Sequence, residues 1–315
     1  MHILLTGATG TIGSLTAQRL SANGHTVLAT DVRPWSAAPK GPALPQGVEF
    51  TIADLTSIPA VDSLFAGQKF DGVIHLGAYP WPRADLDDRE LYKNNSVSSY
   101  LVLRTAVDNG VKRIVQASSV NALGLSYSPE GHNKFKYDQF PLTEKSARRP
   151  EDAYALTKHE CEIQADSLVL WAPGTRIASL RPHMVRDTYD LAWPDCMARD
   201  HFAWVSNDAC AAACELGLTS EGWEGHEVFN IIAPEHCWEG GVDAQRKKGD
   251  AGQDVGVKGS SARPTTLQLL KHHWPHVPLD EGYWAANPWR SVWSAEKAEK
   301  LLGWKHDEYP ATKAA

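Results

Sequence analysis

Two pairs of polar residues in the middle of the chain could do acid–base chemistry. Residues 154–158 read Tyr-Ala-Leu-Thr-Lys, and four-residue spacing on a helix puts Tyr154 and Lys158 on one face. A free tyrosine, with a pKa of about 10, is a poor base at neutral pH, but a nearby ammonium stabilises its phenolate. Ser118 and Ser119 end a predicted strand, where a hydroxyl could polarise a substrate hydroxyl or carbonyl or simply cap a turn. These pairs predict proton transfer at a carbinol or carbonyl group.

A glycine-rich segment near the start of the chain could bind phosphate. Residues 6–13 read Thr-Gly-Ala-Thr-Gly-Thr-Ile-Gly, with glycines at positions 7, 10 and 13, between a predicted strand and a predicted helix. Glycine permits a tight turn and close backbone approach to a pyrophosphate, and the helix N-terminus adds free N–H groups and a positive dipole end. The segment therefore predicts a dinucleotide site, with a plain glycine-rich turn as the alternative.

Acidic residues after the second and third strands favour one type of dinucleotide. Asp31 lies 24 residues after Gly7, where a carboxylate would bind ribose hydroxyls and repel a 2′-phosphate. NAD is therefore expected rather than NADP, although Arg33 argues the other way and Asp31 could instead form a turn before Pro34. Asp54 follows the third strand, where the adenine would lie, with an ordinary loop aspartate as the alternative.

Strands and helices alternate in the first half of the chain and would position these residues. Apolar runs predict strands at 2–6, 25–31, 48–53, 71–77, 111–118 and 175–180, and amphipathic stretches predict helices at 11–23, 89–109 and 150–170. This alternation predicts an α/β fold, a Rossmann-type doubly wound parallel sheet. The later pattern is less regular, with a strand at 227–233 and helices at 207–218, 265–273 and 294–302.

The change of pattern predicts two parts. Residues 1–180 would form the dinucleotide-binding domain with the serine, tyrosine and lysine, and residues 181–315 mainly a smaller substrate-binding lobe, some segments of which return to the core. Residues 239–264 are rich in Gly, Lys, Asp and Ser and predict a flexible insertion. Ten of the twelve tryptophans lie at or after residue 171, where they could stack on a sugar ring or fill the core of the lobe.

Composition excludes several classes of protein. The net charge of −7 and the pI of about 6.0 argue against nucleic-acid binding. No apolar run approaches the roughly 20 residues that span a bilayer. The five cysteines are scattered without a Cys-x-x-Cys pair, so a reducing, cytoplasmic location is expected. No metal site is expected, because His272 and His273 are neighbours that face different ways, and Cys210 and Cys214 fit buried positions on a helix.

Taken in order, these motifs resemble the extended short-chain dehydrogenases/reductases of the NAD-dependent epimerase/dehydratase family. The resemblance rests on TGATGTIG at 6–13, Asp31, Asp54-Leu55, HLGA at 75–78, Asn95, ASSVNALG at 117–124, YALTK at 154–158, Arg181-Pro182 and AEKAEKLLGW at 295–304. It covers nearly the whole chain except 239–264. The uronate dehydrogenase-like branch is the most similar, but that branch carries Asn-His where this chain has Val120-Asn121.

The resemblance implies a role for each matching residue. The cofactor contacts would be Gly7, Gly10, Thr11, Ile12 and Gly13 at the pyrophosphate, Asp31 and Val32 at the adenosine ribose, Asp54 and Leu55 at the adenine, Leu76, Gly77 and Ala78 beside the nicotinamide, Asn95 in support of local geometry, and Tyr154 and Lys158 near the nicotinamide ribose. Ser119 would be the catalytic serine and Tyr154 the acid/base. Lys158 would lower the pKa of Tyr154.

The expected function is an NAD-dependent oxidoreductase that transfers hydride between a sugar or sugar-acid carbinol or carbonyl and the nicotinamide ring. A nucleotide-sugar epimerase with tightly bound NAD is the main alternative, and a non-catalytic NAD-binding regulator is a second one, disfavoured because the catalytic residues are present. A dehydratase is disfavoured because Val120 cannot remove a second proton. Candidate substrate contacts are Trp81, Asn121, His183, Arg186 and Arg199. The resemblance also implies a homodimer formed through helices 89–109 and 150–170.

Overall fold

A parallel sheet of seven strands forms the centre of the fold. The computed structural model describes residues 1–39, 43–124, 137–242 and 263–306, together with the backbone of 247–248 and 254–255. The strands in chain order are β1 (His2–Thr6), β2 (Thr26–Asp31), β3 (Val48–Ile52), β4 (Gly72–His75), β5 (Arg113–Ala117), β6 (Arg176–Pro182), β7 (Val185–Arg186), β8 (Val205–Ser206) and β9 (His226–Ile231). The sheet has the order β3-β2-β1-β4-β5-β6-β9, and each neighbouring pair is parallel. Strands β7 and β8 pair in parallel and form a separate two-stranded sheet.

Helices cover both faces of this sheet. They are α1 (Thr11–Ala22), α2 (Ile58–Phe65), α3 (Asp88–Asp108), α4 (Ala153–Trp171), α5 (Tyr189–Ala192), α6 (Asn207–Thr219), α7 (Thr266–His273) and α8 (Glu296–Leu302). Side chains alternate along β1: Ile3 and Leu5 pack with α1 and α6, whereas Leu4 packs with α2, α3 and α4. The predicted Rossmann-type doubly wound sheet is therefore confirmed.

The predicted long helices are present with small shifts at their ends. Helix α3 was expected at 89–109 and α4 at 150–170. Helix α4 begins three residues later than expected because Asp152 caps it, its carboxylate accepting the N–H of Ala155. Helix α2 was not predicted, because its eight residues are too few to show a clear helical period.

The remainder of the second half packs around a separate apolar cluster, to which Val120, Leu123, Phe140 and Leu142 of the first half also belong. Trp204, Trp238, Trp274, Trp284 and Trp293 are buried there, so most of its tryptophans fill the core. Helix α6 and strand β9 also come from this half, yet they pack on α1 and join the sheet. The division near residue 180 stays a prediction.

The predicted insertion at 239–264 lies largely outside the described residues. Within it, the backbone of β10 (Lys247–Lys248) pairs antiparallel with β11 (Asp254–Val255). In the described part of the chain, no helix is long and apolar enough to cross a membrane. The five cysteines are buried free thiols, and Cys210 and Cys214 lie on α6 in the apolar core, as their spacing predicted.

Candidate functional site

The loop after β1 brings three glycines to the point where the strand order reverses. Strand β1 has β2 on one side and β4 on the other, and ligands of such sheets bind at the carboxyl ends of the strands there. A Cβ on Gly7, whose φ is +67°, would lie 2.5 Å from the backbone carbonyl carbon of Leu76, and a Cβ on Gly13 would lie 2.1 Å from the Gly7 oxygen. A Cβ on Gly10 would meet only the Gly7 oxygen, at 3.2 Å. The first and third glycines are thus required by packing, whereas Gly10 leaves an open backbone face.

That open face is the N-terminus of α1. Gly10 is the N-cap, so no side chain caps the helix, and its first turn carries no acidic residue. The first N–H groups, those of Thr11, Ile12 and Gly13, therefore begin a helix whose positive dipole end suits an anion. This arrangement fits a pyrophosphate.

Asp31 lies beside the glycine loop at the end of β2. The N–H of Thr9 donates to Oδ2 at 3.0 Å, and the N–H of Arg33 donates to Oδ1 at 3.2 Å. The Arg33 guanidinium lies 3.8 Å from the same carboxylate and donates to the Thr9 carbonyl at 3.2 Å. Val32 is exposed next to it. The carboxylate is thus held at the edge expected for a ribose contact, and the charge of Arg33 is paired with it.

Asp54 and Leu55 follow β3 and differ in role. The backbone N–H and the hydroxyl of Thr56 both donate to Asp54 Oδ1, at 2.9 and 2.7 Å, and these bonds hold the pKa of Asp54 below its usual value. Leu55 is buried against Gly77, where an added Cβ would lie 2.8 Å from its Cδ1. Asp54 therefore forms a local turn, and its role near an adenine stays a prediction.

The loop after β4 is held in place by Asn95 from α3. The Asn95 side chain accepts the Tyr79 N–H at 2.8 Å and donates to the Tyr79 carbonyl at 3.0 Å. This two-point bond fixes the backbone that follows Leu76, Gly77 and Ala78. These bonds tie α3 to the loop, and a role for Asn95 at the cofactor stays a prediction.

Helix α4 carries Tyr154 and Lys158 against the carboxyl end of β5. Both side chains are buried, and Lys158 Nζ lies 5.7 Å from the centroid of the Tyr154 ring. Lys158 also donates to the carbonyl of Ala117 at 2.7 Å, two residues before Ser119. Ser119 Oγ accepts the N–H of Asn121 at 3.1 Å, which leaves its own proton for another acceptor. Burial lowers the pKa of Lys158, and the negative charge of Glu162 opposes this.

A buried charge network behind these residues was not predicted. Glu162 accepts two bonds from Arg181, both at 2.7 Å, and these side chains are 1% and 0% exposed. Ser118 Oγ donates to the same carboxylate at 2.6 Å, and Arg148 contacts it at 3.0 Å. Burial by itself raises the pKa of Glu162, but Arg181, Ser118 and Arg148 together outweigh this effect and the pKa is lowered. The sequence offered one indication of this network: Glu162 lies four residues after Lys158, so both share one helix face.

A small cavity of about 10 Å³ lies beside Lys158 and was also not predicted. It is bordered by His75, Asn95 and Cys161, and it has the size of a single water. His75 is bonded to Thr6 Oγ1 at 2.8 Å. Burial and then the charge of Lys158 lower the pKa of His75 to about 3, so this ring is neutral.

The candidate substrate contacts have different surroundings. Trp81 is half exposed, and Asn121 lies in the short helix that follows Ser119. Arg186 is paired with Asp195 at 2.7 Å, and Arg199 lies 3.6 Å from Asp200. His183 is buried just after β6. No group of three or more histidine, cysteine or acidic side chains among the described residues could hold a metal ion.

Comparisons with known proteins agree with this geometry. The sequence model of the NAD dependent epimerase/dehydratase family matches residues 3–185. A UDP-glucose 4-epimerase from Caenorhabditis elegans is 32% identical over 177 residues, 51% of this chain and 48% of that protein. A uronate dehydrogenase from Pseudomonas putida is 29% identical over 231 residues, 72% of this chain and 74% of that protein. A crystal structure of UDP-glucose 4-epimerase from Thermotoga maritima aligns with a TM-score of 0.64 at 19% identity, covering 97% of this chain and 94% of that one, and so shares the fold.

Proposed function

The chain belongs to the NAD-dependent epimerase/dehydratase family and is an enzyme that uses NAD, and we propose that it oxidises a carbinol of a sugar or sugar acid, or reduces the corresponding carbonyl. The observation that carries the proposal is the approach of Lys158 to both the Tyr154 ring and the β5 end that leads to Ser119. A tyrosine, a lysine and a serine at the carboxyl edge of the sheet form an acid–base set for a hydroxyl or carbonyl group.

The residues present fit the cofactor. The open backbone at Gly10 and the uncapped N-terminus of α1 would hold the pyrophosphate, and Asp31 would bind ribose hydroxyls. The Asp31 carboxylate disfavours a 2′-phosphate, which supports NAD over NADP. Leu76, Gly77 and Ala78 would line the nicotinamide side. When bound, NAD supplies the acceptor for the hydride.

In the proposed mechanism, each catalytic side chain acts on one atom of the substrate. The Tyr154 phenolate takes the proton of the carbinol hydroxyl, and the buried ammonium of Lys158 stabilises that phenolate. The Ser119 hydroxyl donates to the carbinol oxygen as it gains negative charge. In the reverse direction, Tyr154 protonates the oxygen of the ketone.

The arginines of the second half support a substrate without a diphosphate. A nucleotide sugar carries two phosphate charges, which proteins usually bind with cations or helix N-termini. From Arg181 onward, each arginine that the structure describes lies between 2.6 and 3.6 Å from a carboxylate: Arg181 by Glu162, Arg186 by Asp195, Arg199 by Asp200, Arg263 by Glu235 and Arg290 by Glu296. These guanidinium groups already have partners, which favours a free sugar or sugar acid.

A nucleotide-sugar epimerase is the second candidate. Its support is the similarity to UDP-glucose 4-epimerases, including one from Pisum sativum that is 28% identical over 96% of this chain. Such an enzyme would oxidise and re-reduce the same substrate, using the same serine, tyrosine and lysine. A non-catalytic regulator is disfavoured, because no such function requires the acid–base set to be intact.

The test is an assay for net NADH with purified enzyme. Free sugars, uronic acids and UDP-sugars are each supplied with NAD, and NADH is followed by its absorbance. Accumulation with a free sugar or sugar acid is expected; cofactor retained through purification with isomerisation of a UDP-sugar would replace the proposal with the epimerase. The Tyr154→Phe variant should bind NAD with wild-type affinity and lose turnover, and full activity in it would contradict the assigned base.

We also propose that two copies associate through α3 and α4. The structure leaves apolar side chains exposed on both helices: Tyr92, Val97, Tyr100, Leu156 and Ile163. Packing these faces across a two-fold axis would make a four-helix contact and remove this surface from water. Light scattering should give twice the monomer mass, and Ile163→Asp should give the monomer. A wild-type monomer at micromolar concentration would reject the dimer.

The thiols bear on the compartment. The five cysteines are free and buried, and the chain carries no disulfide among them. This supports our proposal of a reducing location such as the cytoplasm.

A further inference from the structure

Three buried rings in the second half form a cluster with unsatisfied nitrogens. His183, His201 and Trp293 are 5%, 0% and 2% exposed, and the centroid of each imidazole lies 5.7 Å from that of the indole. Four ring nitrogens have no hydrogen-bond partner among the described residues: His183 Nε2, Trp293 Nε1 and both nitrogens of His201. Buried polar atoms nearly always have partners, so four orphans in one place require an explanation.

The chemistry of these nitrogens can be read from their contacts. The N–H of Met184 donates to His183 Nδ1 at 2.7 Å, so the proton of this ring is on Nε2. Burial lowers the pKa of His183 to about 3 and that of His201 well below its usual value, so both rings are neutral. A neutral His201 has one donor and one acceptor, and an indole has only a donor. The cluster therefore offers three N–H donors and one acceptor, without charge.

The cluster lies near the carboxyl ends of β5 and β6, where Ser119 is located. Ala117 of β5 pairs with Leu180 of β6, so Ser119 comes level with Pro182, directly before His183. Val120 belongs to the same apolar cluster as Trp293. His201 also adopts a left-handed φ of +48°, which is strained for a residue with a side chain.

We propose that His183, His201 and Trp293 form a subsite that binds hydroxyl or carbonyl oxygens of the substrate's carbon chain while Tyr154 acts on the carbinol. Uncharged donors and an acceptor match the oxygens of a sugar, whereas a diphosphate would need positive charge, which these rings do not supply. The identity of the ligand rests on the proposed function; the unsatisfied nitrogens do not.

The test compares His201 with a histidine of the same half whose nitrogens are satisfied. His236 is equally buried, but it is bonded to the carbonyl of Pro264 and to the N–H of Trp238, both at 3.1 Å. Calorimetric titration with galacturonate and with galactose measures sugar binding to the NAD complex, and every protein compared also carries Tyr154→Phe so that no sugar is oxidised during the titration. His201→Phe should weaken binding of the preferred sugar about tenfold or more, the effect of losing hydrogen bonds in a buried site. His201→Asn should recover part of the affinity, and His236→Phe should retain it.

Unfolding without sugar gives a second measurement. His201→Phe should be at least as stable as wild type, because no hydrogen bond is lost, whereas His236→Phe should be less stable. Sugar affinity within twofold of wild type in His201→Phe would overturn the subsite, as would a wild-type complex that binds neither sugar. A destabilised His201→Phe that still binds sugar would indicate an internal water as the partner of these nitrogens and would also overturn it. A wild-type protein that binds sugar without forming NADH or an isomer would instead refute the proposed function.

Discussion

Replacing Glu162 by glutamine should expose how the catalytic residues are held. The Glu162 carboxylate is the only described acidic partner within 4 Å of the fully buried Arg181 guanidinium, and it also binds Ser118 and Arg148. Removing one partner of a buried ion pair costs about 3–5 kcal/mol, because it leaves the other charge uncompensated. A domain is typically stable by about 5–15 kcal/mol, so Glu162→Gln should lose a large part of its stability yet still fold in the cold.

The same change should reduce turnover. The charge of Glu162 helps to keep Lys158 protonated against the effect of burial on its pKa, and Ser118 lies next to Ser119. We expect kcat to fall about tenfold, equivalent to about 1.4 kcal/mol of transition-state stabilisation, with little change in NAD affinity.

Urea unfolding followed by tryptophan fluorescence and steady-state kinetics measure both effects. Glu160→Gln is the matched control, because Glu160 lies on the same helix and accepts bonds from Tyr92 at 2.9 Å and Ser96 at 2.7 Å on the outer face. It should lose less than about 1 kcal/mol. If Glu162→Gln unfolds at the urea concentration of the control or keeps wild-type kcat, Glu162 does not have this role.

Gly10→Ala should weaken NAD binding at least about tenfold, because the added methyl projects from the open backbone face where the pyrophosphate would bind. It should cost little stability, because the methyl meets only one atom. Calorimetry of NAD binding measures the first effect. Gly13→Ala should instead lower the urea midpoint, because its Cβ would lie 2.1 Å from a backbone oxygen; equal stability of the two variants would contradict these assignments. The pKa of each of three buried histidines (His75, His183, His236) is lowered to about 3, so only the unfolded state takes up their protons between pH about 6.5 and 3. The free energy of unfolding should therefore decrease as the pH is lowered through this window, by up to about 1.4 kcal/mol per pH unit for each ring. A melting temperature that stays constant from pH 7 to 5 would argue against burial of these rings in their neutral form.

Local spacing explains why several residues of the candidate site could be proposed from the sequence. The three glycines lie in one loop and helix start, and Tyr154 and Lys158 lie on one helix, so their spacing alone determines which residues share a face. The alternation of strands and helices likewise predicts the parallel sheet and therefore its ligand-binding edge.

Contacts between distant segments could not be predicted in this way. Glu162 contacts Ser118 and Arg181 because α4 packs against the strand ends of β5 and β6. No sequence pattern predicts this packing. The two ring nitrogens of His201 lack hydrogen-bond partners among the described residues because of the side chains that pack around them, which the sequence does not show. The burial of Trp293 could not be predicted either, because composition reveals the excess of tryptophan but not which indoles are buried.

The ratio of NADH formed to sugar consumed distinguishes an oxidoreductase from an epimerase. Purified enzyme is incubated with excess NAD and a limiting amount of the preferred sugar or sugar acid, and both compounds are quantified at completion. The proposed oxidoreductase predicts one NADH for each sugar consumed. Conversion of the sugar into an isomer without net NADH would contradict it, and would show that the same serine, tyrosine and lysine serve an epimerase.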